Sequence, residues 1–347
     1  MKLVTFRGGV HPDDGKSLAK DKAIMDLLPK EKLVYPLSQH IGAPAVPIVE
    51  KGEHVKKGQM IARAGGFVSA PVYACVSGTV TAIEPHVTPA GAKVDSIVVE
   101  NDGLYEEAPL LPVKPAEEMT KEEILERIGE AGIVGMGGAG FPTRVKLSPK
   151  EPEKIEYIIA NCAECEPYIT ADYRRMVETP ELLVGGMRIV LQLFEGAKGI
   201  FAVEDNKPDC MAKLRELTKE EPRMEVVSMM TKYPEGAERQ LIYATTGRAI
   251  NSSMLPAGAG CIVDNVETLT AICRAVKEGL PSMERVVTVS GDGVVSPGNY
   301  RVPFGMNQRE LVEAAGGLKE GTEKVISGGP MMGFAMYTLD TPVTKTS

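Results

Sequence analysis

Downstream of Thr120 the apolar positions switch repeatedly between two rhythms. Thr120 and Glu123 form a T-x-x-E pair ahead of Ile124, Leu125 and Ile128 at helical spacing, which predicts a helix over residues 121–130 that stops near Gly132. Residues 155–160 are a short apolar run and predict a strand. Residues 180–194 carry a helical pattern with Thr179 as cap and Pro180 at the first position. A strand at 199–203, a helix at 210–217 and a strand at 224–228 follow. Strands alternating with helices of this length predict right-handed βαβ units on a parallel sheet, the α/β class.

The flanks differ. Residues 46–83 are β-branched runs punctuated by glycines (Gly52, Gly58, Gly78), the signature of an all-β module of hairpins. Residues 108–116 carry three prolines and predict a linker. Past Pro281 come a strand at 285–290, a turn at Gly291-Asp292-Gly293 and a second short strand. A helix opened by an Asn307/Glu310 capping box and closed at Gly316-Gly317 follows, then a strand at 324–326. That is a small α+β module of β-grasp type. The expected division is 1–112, with the all-β module at about 40–100, then 113–280 and 281–347.

Composition narrows the function classes. The chain has 347 residues, enough for two or three domains with a sizeable core, and a net charge of −8 that gives no overall positive field for nucleic acid. Residues 1–7 lack the apolar core of a signal peptide, and the apolar stretch 181–195 is broken by two glycines and Arg188, so a soluble, cytosolic chain is expected. Six cysteines without an export signal read as free thiols. Cys162-x-x-Cys165 has the spacing of a redox pair or half a zinc site, but all four histidines (His11, His40, His54, His86) precede residue 87, so no metal site is expected.

The densest chemical signal is Gly135-Met136-Gly137-Gly138-Ala139-Gly140-Phe141-Pro142-Thr143. Gly135, Gly137 and Gly140 satisfy G-x-G-x-x-G, yet that dinucleotide fingerprint follows a strand, whereas this loop follows a predicted helix and runs into Pro142. Glycines this dense are tolerated where φ is positive or a ligand approaches the backbone, so the loop reads as a cradle for a phosphate or planar ring with Lys146 nearby, against the simpler reading of a long turn. The strand at 155–160 runs into Asn161-Cys162-Ala163-Glu164-Cys165-Glu166-Pro167. Strand C-termini are where α/β sheets present ligand groups, and Glu164 and Glu166 are expected to reach one ligand from different heights.

These segments, with Gly236-Ala237-Glu238 and Asp264-Asn265-Val266-Glu267-Thr268-Leu269, occur in the order found in the flavin- and NADH-binding subunit of respiratory complex I, which the chain resembles. The spacing Val49 to Gln59, then Ala70-Pro71 and Ser77 to Val80, resembles the barrel-sandwich hybrid of biotinyl and lipoyl carriers. Only Arg63 is charged between Met60 and Val80, so no carrier lysine is present. With Phe6-Arg7-Gly8-Gly9-Val10-His11-Pro12 and Cys165-Glu166-Pro167-Tyr168-Ile169-Thr170, the chain is similar over its whole length to the RnfC family. Its members are the C subunits of Rnf complexes, membrane-bound ferredoxin:NAD oxidoreductases coupled to ion transport.

The resemblance implies a barrel-sandwich hybrid, a Rossmann-like parallel α/β domain for FMN and a C-terminal β-grasp of the soluble-ligand-binding type. It implies that Gly135, Gly137, Gly138, Gly140, Lys146, Asn161, Glu164, Asn265 and Thr268 contact FMN, and that Phe141, Glu166 and Glu238 contact NADH. It implies hydride exchange between nicotinamide and flavin with no obligatory protein acid or base, hence no catalytic residue in the narrow sense. The implied partners are NADH/NAD, other Rnf subunits on the cytoplasmic side of the membrane and, indirectly, ferredoxin. Complex I has Arg where this chain has Met136, Asp at Ala163 and Glu at Ala237. The family's two C-x2-C-x2-C-x3-C-P runs for 4Fe–4S clusters are absent, so a chain cut before that domain is expected. A flavin-dependent cobalamin reductase of propanediol utilisation and a non-catalytic docking scaffold are the alternatives.

Overall fold

Four parallel strands organise the centre of the chain, in the order Met224–Met229, Lys198–Glu204, Tyr157–Cys162, Cys261–Asn265. These come from a computed structural model that describes residues 3–347. The chain begins at Tyr157–Cys162, adds two strands on one side, then returns to place Cys261–Asn265 on the other. The order therefore reverses between Tyr157–Cys162 and Cys261–Asn265, and in that register Asn161 lies beside Asn265. Such a reversal leaves a crevice beyond the carboxyl ends of the two strands.

Both faces of the sheet are covered, as a parallel sheet requires. The helices Lys121–Glu130, Pro180–Leu193 and Val266–Glu278 bury Ile128, Leu183, Met187, Val190, Leu269, Ile272 and Val276 against Phe201 and Val203. The helix Glu238–Thr246 buries Leu241 and Ile242 against Ile159, Ile200 and Val263 on the other face. The predicted capping box exists: Thr120 Oγ1 accepts the Glu123 N–H at 3.2 Å and the Glu123 carboxylate accepts the Thr120 N–H at 2.7 Å.

The first strand starts two residues later than the apolar run, because residues 152–154 form a 3-10 turn, and it continues to Cys162. The pattern does not predict the short helix Thr143–Lys146, the helices Ala171–Glu178, Glu238–Thr246 and Val266–Glu278, or the strand Cys261–Asn265, which complete the domain.

Upstream, Lys32–Pro36, Lys93–Asn101, Gly78–Val87 and His54–Val55 form one antiparallel sheet and Val46–Pro47, Met60–Arg63 and Val72–Tyr73 a second. Downstream, Glu284–Val289 pairs antiparallel with Gly298–Pro303, the helix Gln308–Ala314 covers them, and Ile24–Asp26 joins the same sheet from the far end of the chain. One core serves both modules, running from Leu33, Tyr35, Ile61 and Ile97 to Tyr300, Val302, Phe304 and Leu311. Two local expectations are corrected. Asn307 caps its helix through the Arg309 N–H, but Glu310 accepts from Lys30 N–H at 2.8 Å instead of closing a capping box. The strand expected at 324–326 is Ile326–Ser327, and it pairs with a further strand, Phe334–Ala335.

Candidate functional site at the sheet reversal

A cleft of about 810 Å³ opens at the reversal point, lined by Gly137, Gly138, Asn161, Glu164, Glu166, Asp172 and Asn265, with Gln39 and His40 from upstream and Arg285 and Gly329 from downstream. All three parts of the chain meet there.

The glycine loop is pinned at its base and open at its tip. Gly135 N–H donates to Phe141 O at 2.9 Å, Met136 N–H donates to Thr268 Oγ1 at 3.0 Å, and the Met136 side chain is buried in the shared core. Thr268 thus anchors the loop instead of facing the cleft. Gly140 takes φ +68° and accepts from Ile41 N–H, tying the loop to the upstream module. A Cβ on Gly137 would stand 2.8 Å from the Cβ of Asn265, so the loop needs glycine there to lie on that residue. Gly138 is different, because a Cβ there would meet no protein atom within 4 Å and would project into open space.

Asn161 donates from Nδ2 to Gly236 O at 2.8 Å and accepts the Ala163 N–H at 3.2 Å. Asn265 caps Val266–Glu278 by accepting the Glu267 N–H, and its Nδ2 donates to Asp172 Oδ2 at 2.6 Å. Burial, then the Glu164 carboxylate, pushes Asp172 up to about 7 against the pull of the Asn265 hydrogen bond. Arg175 and Glu267 form a buried bidentate pair at 2.7 and 2.9 Å below them.

The two glutamates of the acidic segment, expected to share a ligand, have different partners. Glu164 adopts φ +51° and turns inward, where its carboxylate accepts from Asp172 N–H at 2.7 Å and Tyr173 N–H at 3.3 Å, covering the start of the helix Ala171–Glu178. Lys16 lies 3.8 Å from it and donates to Glu166 O and Ile169 O, while Lys207 donates to Ala163 O at 2.5 Å. Burial raises the Glu164 carboxyl, opposed by those two lysines. Glu166 instead accepts from Met331 N–H at 3.1 Å and Met332 N–H at 2.8 Å.

Lys146 and Glu238, assigned to different ligands from the sequence, lie 3.5 Å apart, and Lys146 is 3.4 Å from the buried Asp264 and donates to Val263 O. Phe141 is half-buried at the loop base. Cys162 is buried and Cys165 Sγ accepts from Gly236 N–H, so the C-x-x-C thiols are free and separately housed. Among the described residues no group of three or more His, Cys, Asp or Glu could hold a metal ion, and no helix is long and apolar enough to cross a membrane.

Lys16, Asp172, Arg175 and Arg285 are missed by motif reading. Asp172 and Arg175 sit one helical turn apart just past the acidic segment, a spacing that offered a signal; Lys16 and Arg285 offered none.

The residues present fit a flavin nucleotide: the Gly138 face is open toward the cleft, and Arg285 Nε is enclosed without a hydrogen-bond partner beside it. Known proteins agree. Residues 128–274 match the Nuo51 FMN-binding domain, residues 4–104 the RnfC barrel-sandwich hybrid domain and residues 286–335 the SLBB domain. A chain of a NAD+-reducing NiFe hydrogenase in its H2-reduced state superposes with TM-score 0.54 at 26% identity, covering 67% of this chain and 45% of that one. The class is therefore that of redox-complex subunits built around a Nuo51-type FMN-binding domain.

Within that class the family is defined by whole-chain similarity. The chain is 45% identical to the C subunit of the proton-translocating ferredoxin:NAD(+) oxidoreductase complex of Clostridium ljungdahlii, over 99% of its length and 76% of that protein. It is 41% identical to the C subunit of the Na(+)-translocating complex of Acetobacterium woodii, covering 78% of it. It is 40% identical to the C subunit of the ion-translocating oxidoreductase complex of Pseudomonas aeruginosa, covering 45% of it. The chain belongs to the RnfC family, the electron-transfer subunits of ion-translocating oxidoreductase complexes.

Proposed function

We propose that this chain binds FMN non-covalently in the cleft at the sheet reversal and exchanges hydride with NADH there, as part of a membrane-associated complex that links NAD to ferredoxin. The observation that carries this reading is the pairing of Gly137, packed on Asn265, with Gly138, which lines the cleft and where a Cβ would meet no protein atom within 4 Å. A glycine with no protein neighbour to avoid is explained by a ligand against the backbone.

When bound, FMN supplies the two-electron exchange with nicotinamide and the one-electron release toward iron–sulfur carriers. The protein's share is binding and orientation. Gly137 and Gly138 offer a flat backbone surface, Asn161 and Asn265 stand side by side at the two strand ends, and Asp172 sits behind Asn265. Lys146 holds the end of the Cys261–Asn265 strand and Glu238 together. Glu166 in the cleft lining and Glu238 outside it are suited to accept hydrogen bonds from the sugar hydroxyls of NADH, and Phe141, also outside that lining, to flank its ring.

Anaerobic addition of NADH to the FMN-loaded protein tests the reading. Loss of the visible flavin absorbance in proportion to NADH is expected. Persistent oxidised flavin under excess NADH rules out the nicotinamide half of the proposal while leaving the flavin half standing.

A further inference from the structure

Arg285 is the second residue of the first strand of the C-terminal module, outside every motif of the flavin domain, yet its side chain lines the cleft. Nη1 donates to Lys345 O at 2.8 Å and Nη2 to Met136 O at 3.1 Å, while Nε is enclosed and has no partner. Among the described residues it makes no ion pair. Two carboxylates sit close enough to act on it, Glu267 and Asp172, but both Glu267 oxygens are engaged by Arg175 and one Asp172 oxygen, Oδ2, by Asn265. A guanidinium that is desolvated and satisfied only by carbonyls is costly unless an anion completes it.

The anion has a place to sit. Arg285 reaches the carbonyl of Met136, the residue immediately before Gly137 and Gly138, so the guanidinium-bearing residue and the open glycine backbone line the same cleft. A planar fork of N–H donors beside glycine amides suits the oxygens of a phosphate monoester. We infer that Arg285 is a binding residue for the phosphate of the flavin nucleotide, so that the C-terminal module completes the cofactor site. The inference rests on the flavin reading above and adds which end of the cofactor this module holds.

FMN and riboflavin differ by that phosphate alone, so titrating both into the wild-type protein and into Arg285→Gln isolates it. FMN affinity is expected to fall about ten- to hundredfold, the range for one charge-assisted contact, while riboflavin affinity stays within about twofold. Because Arg285 also holds Met136 and Lys345, Arg285→Lys is the second variant. It keeps the charge without the fork, and an intermediate FMN loss with unchanged riboflavin binding is expected. Equal losses for both ligands in both variants, or no loss for FMN, overturn the phosphate assignment. Failure of the wild-type protein to bind either flavin would instead overturn the flavin reading itself.

Discussion

Glu166 accepts the backbone N–H of Met332 at 2.8 Å, tying the end of the acidic segment to the hairpin loop between Ile326–Ser327 and Phe334–Ala335 in the C-terminal module. The same carboxylate accepts the Met331 N–H at 3.1 Å, and a Cβ on Gly329 would collide with it. The 328–333 loop, which lines the cleft, therefore fits around one glutamate.

Replacing that glutamate should loosen the loop before it affects the fold. With Glu166→Gln, one charge-assisted bond becomes a weaker neutral one and the other is lost, because the amide nitrogen cannot accept the second N–H, a loss of about 1 kcal/mol after allowing for the exposed setting. Hydrogen exchange at the Met331 and Met332 amides should accelerate roughly fivefold, with the melting temperature nearly unchanged. Unaltered exchange would show that the glutamate does not hold the loop.

Asp264 is buried with neither oxygen hydrogen-bonded, and Lys146 at 3.4 Å is its nearest countercharge. Lys146→Met should then cost about 2–4 kcal/mol, because it strands a buried carboxylate. Adding Asp264→Asn should recover most of that loss, and a double-mutant cycle by chemical denaturation measures the coupling. Additive losses would mean that the pair is not coupled.

Asp172 titrates at about 7 in the folded chain, above its unfolded value of 3.8. Its neutral form suits the fold, so its contribution is fully present below about pH 4 and is lost as pH rises through about 7. Asp172→Asn keeps an acceptor for Asn265 and removes the titration. The variant should match wild type near pH 4 and exceed it by on the order of 4 kcal/mol at pH 8, measured by denaturation at each pH. A stability difference independent of pH would contradict the assignment.

The sequence carried the frame of the fold better than its chemistry. The apolar runs at 155–160, 199–203 and 224–228 became three of the four parallel strands, and Asn161 to Pro167 does leave the end of the first. The fourth strand, Cys261–Asn265, is five residues long behind a glycine-rich turn, too short to stand out, although its return beside Tyr157–Cys162 creates the cleft. The role of Glu164 was illegible because it depends on φ +51° at a non-glycine residue and on a helix start eight positions away. Arg285 sits in a predicted strand outside every motif, and its contact with Met136 joins residues 149 positions apart.

Titration of FMN into the wild-type protein and into Gly138→Val, with Gly137→Ala as the contrast, decides whether the cleft at the sheet reversal holds a flavin. Saturable binding of one FMN per chain to wild type is expected. Gly138→Val should lose binding with melting temperature nearly unchanged, since a Cβ there meets no protein atom within 4 Å, whereas Gly137→Ala should lower stability by its approach to Asn265. FMN affinity in Gly138→Val equal to that of wild type would contradict a flavin site at the sheet reversal.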